Sequence, residues 1–528
     1  VSTVEVIVGL LAAVALLGLL AEQVGLPYPA VLVTGGLVFG LVPGIPSVSL
    51  PPGLVLLGFL PPLSFEVAFR AASFDLRSSA AQIGSLAIGL VAATIAVVAV
   101  VGHLVAHLPW VAALALGALA APTDPVSASA TIRATGAPER IVAILEGESL
   151  LNDGAGLAAL QVAVAAAATG GIAPVHGLLK FLAISAGGWA IGLACGWMHV
   201  VLRRRLDEPS LEIVLSLLVA YGAYTASTAA GCSGVLAAVA AGLYSGRRAE
   251  EIATAGVRLR VEPFWDALSF VLQSILFLLI GLQVRGLVQQ LPSGGVGDTA
   301  TAAVVLIAAA LVLRTAWLFA AEPVLAGVAR LARRGGARLA RAELATLAWS
   351  GMRGALSLAG ALSIPVVAGG HPFPGRDRVI FLVYCIVVGT LLVPSLTLGP
   401  IVRRLGLSED EESRRLELDV RTRIIHAALA RLDELAEAEH ADADTLARFR
   451  GLLELRLARA QAADPGPADG TRPRGSADVP ALRRELLRVE RGTLAELRAR
   501  HEIPARVLQR IQHELDLDEA RLLSAADQ

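Results

Sequence analysis

The chain has 528 residues, 55% of them hydrophobic, with a mean hydropathy of +0.67. A soluble protein of this length is far less apolar, and 44 basic against 45 acidic residues leave no basic excess for nucleic acid. Charge is thin up to about Ile401 and dense from Ser408, which divides the chain into a transmembrane domain over 1–407 and a soluble helical tail over 408–528.

Breaking the chain at charged, polar and Gly/Pro punctuation predicts about thirteen spans of the length a bilayer needs. They fall near 4–21, 27–43, 51–70, 79–106, 110–132, 140–168, 176–202, 211–229, 233–246, 262–289, 299–326, 343–368 and 378–402. The first lacks a basic flank and a small-residue cleavage site, so it is expected to stay as a span rather than leave as a signal. The chain opens on Val1, so an initiator methionine is expected to precede it. One set of alternate loops carries Arg70, Arg77, Arg133, Arg140, Arg203–Arg205, Arg247, Arg248, Arg258 and Arg260, then Arg330, Arg333, Arg334, Arg338, Arg341, Arg403 and Arg404. The other set carries only Arg285, Arg376 and Arg378. The positive-inside rule then puts the N-terminus outside and the C-terminus in the cytoplasm, as an odd number of spans requires.

Ionisable groups at membrane depth are costly and mark function. In the third span, Pro61-Pro62-Leu63-Ser64-Phe65-Glu66 places Glu66 either as a cation ligand or as a charge of a cytoplasmic funnel. In the fifth, Ala121-Pro122-Thr123-Asp124-Pro125 holds two prolines three residues apart. They remove backbone donors and break the helix, and non-helical backbone survives there only in protein or along a cavity. Asp124 can balance the positive half-helix end so created. In the sixth, Glu146-Gly147-Glu148-Ser149-Leu150-Leu151-Asn152-Asp153 puts Ser149, Asn152 and Asp153 on one face, with Glu148 one turn from Asn152. These are hard oxygen donors of the kind a small alkali cation prefers.

The single lysine, Lys180, is placed to snorkel at the outer end of the seventh span. His103, His107 and His199 read as interfacial residues. Cys195, Cys232 and Cys385 lie far apart in apolar runs, with neither metal spacing nor a disulfide framework. Arg314, inside the eleventh span, needs a carboxylate; Glu148 is the preferred partner and Asp124 the competitor. In the twelfth span, Ser350-Gly351-Met352-Arg353-Gly354 marks a second interrupted helix, seven spans after the first. Arg353 there balances a half-helix C-terminal end or sits at the cytoplasmic edge. Two broken helices at matching positions point to two inverted six-span repeats, 1–6 and 8–13, with the seventh as linker. In the tail, a capping box at Ser408–Glu411 opens helical spacing through about Ala463. A Pro/Gly/Asp-rich linker follows at about 464–480, then two further helices. The tail is read as a solvated bundle or dimer contact, with regulation by pH or a ligand as the sharper alternative. No nucleotide or cofactor fingerprint is present.

Pro-Thr-Asp-Pro-Val-Ser at 122–127, Glu-Gly-Glu-Ser-Leu-Leu-Asn-Asp at 146–153 and Gly-Met-Arg-Gly-Ala-Leu-Ser at 351–357 together resemble the sodium/proton exchangers of the monovalent cation/proton antiporter superfamily. The resemblance covers roughly 5–407. It implies an all-α membrane fold of about thirteen helices with crossed broken helices, and a homodimer in the bacterial inner membrane. It assigns Asp153 as the carrier carboxylate beside Asn152, Thr123-Asp124 as the crossover, and Glu148 with Arg314 as a structural ion pair. Na+ would be held at Asp153, Ser149 and Thr123. Val393-Pro394-Ser395 stands where the family pattern leads one to expect Val-Gln-Gly.

A lone carboxylate in a low-dielectric cavity binds a proton or a cation, not both, which couples the two without a further device. The expected activity is exchange of Na+, with Li+, for H+ by alternating access, at one proton per cation. A potassium/proton antiporter is the nearest rival. A proton-independent channel and a non-transporting sensor are more distant. The chain is not expected to be an enzyme, because Gly147-Glu148-Ser149 has no following glycine and no histidine base in a nearby span.

Overall fold

The computed structural model describes residues 3–42, 53–72, 79–135, 137–169, 171, 174–205, 208–252, 255–289, 296–331, 339–407, 411–437, 443–461, 479–500, 503 and 505–526. Arg77, Arg333, Arg334, Arg338, Ser408 of the capping box and the linker up to Asp478 lie outside the described residues. The chain forms two compact units, one of 1–206, 213–252 and 264–408, the other of 207–212, 253–263 and 409–528.

The first unit is helical. It begins with α1 (Thr3–Val24), α2 (Tyr28–Leu41) and α3 (Leu60–Ala71), the last entered through a π-helical stretch at Leu54–Phe59. Next come α4 (Ala80–Gly84), a second π stretch at Ser85–Leu90, and α5 (Val91–Val105). The run α6 (Trp110–Ala120) and α7 (Pro125–Ala134) is followed by α8 (Glu139–Thr169), α9 (Pro174–Arg203), α10 (Pro209–Ala229) and α11 (Gly234–Ile252). Then come α12 (Ala255–Leu282), α13 (Val284–Gln289), α14 (Val296–Leu331), α15 (Arg341–Trp349), α16 (Ala355–Leu362) and α17 (Arg376–Arg404). A two-residue hairpin, β1 (Val367–Ala368) against β2 (His371–Pro372), turns the chain between α16 and α17.

Among the described residues nine helices are long and apolar enough to cross a membrane. The other expected segments answer to α2, which has 14 residues, to α3, to α11 and to the interrupted pair α15 and α16. Local chemistry explains one of these irregularities. Pro62 has no N–H for the carbonyl of Gly58, four residues back. The helix loosens into its π stretch there, and the Gly58 carbonyl accepts from the Tyr221 hydroxyl at 2.9 Å instead. Pro394, by contrast, lies within an uninterrupted α17.

Small residues let α9, α11 and α3 approach closely. A Cβ at Gly192 would meet the Ala237 carbonyl of α11 at 2.2 Å, and one at Gly242 of α11 would meet the Phe65 carbonyl of α3 at 2.4 Å. Close backbone contact of this kind is how helices associate where lipid offers no hydrophobic drive. Leu116 and Leu119 of α6, Leu306 of α14 and Val379, Leu382 and Val387 of α17 belong to one buried cluster that holds the broken helices.

The second unit contains the first residues of α10 and of α12, Arg258 among them, with α18 (Glu411–Glu437), α19 (Ala443–Gln461), α20 (Val479–Ala499) and α21 (Ala505–Ala526). Their apolar stripes meet in two clusters, one around Ile424, Leu487 and Ile511 and one around Leu432, Phe449 and Leu486. Buried Asp516 is held by Arg258, through bonds of 2.7 and 2.6 Å, and by Arg491 at 2.5 Å. Bonds to Glu514, above all, hold the Arg421 guanidinium above its ordinary pKa range.

Candidate functional site

The site grows from the two helix breaks. α6 stops at Ala120, and α7 starts at Pro125, whose missing N–H costs nothing in a first turn. Asp124 is the N-cap of α7, its Oδ1 accepting from the Val126 N–H at 3.0 Å. In the other break, Ser350–Gly354 separates α15 from α16. The two breaks cross, and the Asp124 N–H donates to the Met352 carbonyl at 2.8 Å. Gly354 permits the crossing, since a Cβ there would lie 2.7 Å from the Asp124 Cβ.

Arg353 is buried at the crossing. Its Nε donates to the Ala120 carbonyl at 2.6 Å and its Nη1 to the Gly351 carbonyl at 2.9 Å. The guanidinium therefore sits at the C-terminal end of α6, where the helix dipole leaves partial negative charge and unbonded carbonyls. Asp124 meets the opposite end of the break. Each half-helix end faces a side chain of complementary charge.

α8 passes beside the crossing. Arg314 of α14 forks onto Glu148, with Nη1–Oε1 at 2.5 Å and Nη2–Oε2 at 2.8 Å, and its Nε reaches the Leu347 carbonyl at 3.1 Å. Both side chains are about 2% exposed, so this is a desolvated, bidentate pair. A hydrogen-bond chain leads from it. The Thr123 hydroxyl donates to Glu148 at 3.4 Å and accepts from the Asn152 amide at 2.7 Å.

Ser149 and Asp153, four residues apart on α8, line a cavity of about 100 Å3 together with Thr123 and Asp124. Among the described residues no basic side chain pairs with Asp153. With Ser64 and Ser357, the cavity offers two carboxylates and four hydroxyls, while Glu148 is occupied by Arg314. Oxygen donors of this kind suit a cation stripped of part of its water.

Residues 9–404 match the family described as sodium/hydrogen exchanger, transmembrane. The chain belongs to that family.

An uncharacterised Na+/H+ exchanger of Mycobacterium tuberculosis is 31% identical to the exchanger, over 99% of this chain and 96% of the relative. The Na+/H+ antiporter ApNhaP of Aphanothece halophytica is 33% identical, over 77% and 75%. The solved sodium proton antiporter MjNhaP1 of Methanocaldococcus jannaschii covers 77% of this chain and 98% of its own, with TM-score 0.61 and 18% identity; it carries the fold alone. The exchanger is thus a multi-pass, mostly helical membrane protein.

Not every residue singled out in the sequence reaches the cavity. Asn152 is fully buried and turns its amide to Thr123, one step behind the lining. Glu66 is buried but does not line the cavity, although Leu63, Ser64 and Val67 of the same helix do. Arg70 bridges Glu66 and Asp266. His199 is fully buried rather than interfacial, its Nδ1 2.8 Å from the Ser245 hydroxyl and its ring beside Phe65. Gln273 of α12 and Ser357 of α16 line the cavity and were missed. Gln273 carried a signal, a lone amide inside an apolar run; Ser357 lay within a motif read only for its Arg and Gly.

Proposed function

We propose that the exchanger carries Na+ inward or outward against H+ at Asp153, one ion at a time. One observation carries this reading: Asp153 shares a buried cavity with Ser149, Thr123 and Asp124, while the neighbouring acid Glu148 is neutralised by Arg314. In this reading Ser149 and Thr123 are the neutral ligands of the ion, and Asp124 holds the crossover. Asn152 orients Thr123, and Arg353 compensates the broken helix. Glu66 acts as a charge of the cytoplasmic funnel, since Arg70 engages it.

Proton and cation compete for the same carboxylate oxygens. A bare carboxylate at mid-membrane is the state least able to cross, so the site moves only when loaded. Alternating access follows from movement of one helical bundle against another across about thirteen spans in two inverted repeats. The protein is a homodimer of the bacterial inner membrane, N-terminus outside and tail in the cytoplasm. It also carries Li+, and it exchanges one proton per cation.

The test is Na+-driven proton release from proteoliposomes. The wild type is expected to collapse an imposed pH gradient on addition of Na+ or Li+, and Asp153→Asn to leave the gradient standing. Retained exchange in that variant would remove Asp153 from the mechanism.

A further inference from the structure

Some buried hydroxyls on the helices satisfy themselves one turn back, while those of Ser127, Ser129, Ser269, Ser274 and Ser357 have no partner among the described residues, and of these five Ser357 lines the cavity. In this chain the hydroxyl of Thr131 donates to the Ser127 carbonyl at 3.1 Å, Thr346 to Ala342 at 3.0 Å and Thr390 to Ile386 at 2.6 Å. Ser357 makes no such bond. It is the third residue of α16, and the carbonyl four positions earlier belongs to Arg353, before the N-cap Gly354. Its Oγ is buried, with the residue 1% exposed, and bonds to no protein group. It also lines the cavity that holds Asp153, as does Gln273 of α12. A buried polar group without a protein partner calls for an explanation, and a hydroxyl on a cavity wall can find its partner in what enters the cavity.

We propose that Ser357 is a direct oxygen ligand of the transported cation and that Gln273 supplies a further neutral oxygen, the two together setting which alkali ion the cavity accepts. This rests on the reading of Asp153 as the carrier. Both broken helices then contribute donors, Thr123 and Asp124 from the first and Ser357 from the second, with Asp153 and Ser149 from α8 between them. The carboxylates supply charge and already favour the smaller ion, which approaches their oxygens more closely. The number and spacing of neutral oxygens that replace water around the ion then adjust that preference. The smaller ion, Na+, gains more from one added short oxygen contact than K+ does.

The experiment compares wild type, Asp153→Asn, Ser357→Ala, Ser357→Thr and Gln273→Leu in proteoliposomes, reading the half-saturating Na+, Li+ and K+ concentrations. Ser357→Ala is expected to raise half-saturation for Na+ by about tenfold, the loss of roughly one good polar contact. The shift for K+ is expected to be smaller, so the Na+/K+ preference falls. Ser357→Thr keeps the hydroxyl and restores the Na+ value. Gln273→Leu moves the Na+/K+ preference in the same direction and tests the assignment independently if Ser357→Ala is not recovered folded. Unchanged half-saturation in Ser357→Ala, or an equal fall in maximal rate for every cation, would overturn the assignment and leave Ser357 a packing residue. Silent wild type, or active Asp153→Asn, would instead defeat the underlying reading whatever Ser357 does.

Discussion

Asp124, Glu148 and Asp153 lie within 30 residues of chain around the crossing, and their surroundings differ. Glu148 is bidentately bonded to Arg314, with both side chains about 2% exposed. Asp124 spends one oxygen on the first turn of α7. Asp153 has neither engagement and faces the cavity. Breaking the Glu148 pair should therefore harm the fold before it harms the ion site. Glu148→Gln leaves Arg314 buried without a counter-charge, a loss of about 3–5 kcal/mol, seen as a lowered melting temperature in detergent. Replacing both partners, Glu148→Gln with Arg314→Met, is expected to recover part of that loss, because no buried charge is orphaned. A double variant less stable than Glu148→Gln alone would show that the pair itself, not the stranded arginine, holds α8 to α14.

At the scale of elements, the two helix breaks stabilise each other. Neither has enough backbone partners alone; they share the Asp124–Met352 bond, and Arg353 reaches from one break to the last carbonyl of the other. Arg353→Gln keeps some donor capacity but removes the charge facing the end of α6. It is expected to cost about 1–3 kcal/mol in thermal stability, with Arg353→Lys intermediate. Equal stability of the Gln and Lys variants would argue that only the hydrogen bonds matter. The crossover was legible in the sequence because Pro122 and Pro125 remove specific N–H groups, and because Gly351 and Gly354 flank a charge in an apolar run. Chain order alone could not say that the two breaks touch. The irregular entry to α3 was equally local in cause, in Pro61 and Pro62, yet its repair by Tyr221 comes from a residue 163 positions away.

At the scale of the whole molecule, the proposed carrier role of Asp153 fixes an expected charge per cycle. If Asp153 alone exchanges its proton for a monovalent cation, inward and outward cycles move no net charge. In vesicles clamped with valinomycin, an imposed voltage is then expected to leave the initial exchange rate unchanged. A strong voltage dependence would mean that a second group, with Asp124 the nearest carboxylate on the cavity wall, also changes protonation. The match to the exchanger family, over 9–404, leaves the tail outside it. The tail helices form their own apolar clusters and charge pairs.

What the sequence determined by itself is everything set by covalent neighbours: the apolar runs, the proline breaks, the one-turn spacing of Ser149 and Asp153, and the need of buried Arg314 for an acid. Tertiary structure decided the rest. Arg70 and Asp266 engage Glu66, Asn152 reaches Thr123 instead of the cavity, and α12 and α16 bring Gln273 and Ser357 to the wall beside Asp153. The reason is that helical periodicity names the face a side chain shares with its own helix, whereas the neighbour across that face is chosen by packing between segments more than 200 residues apart.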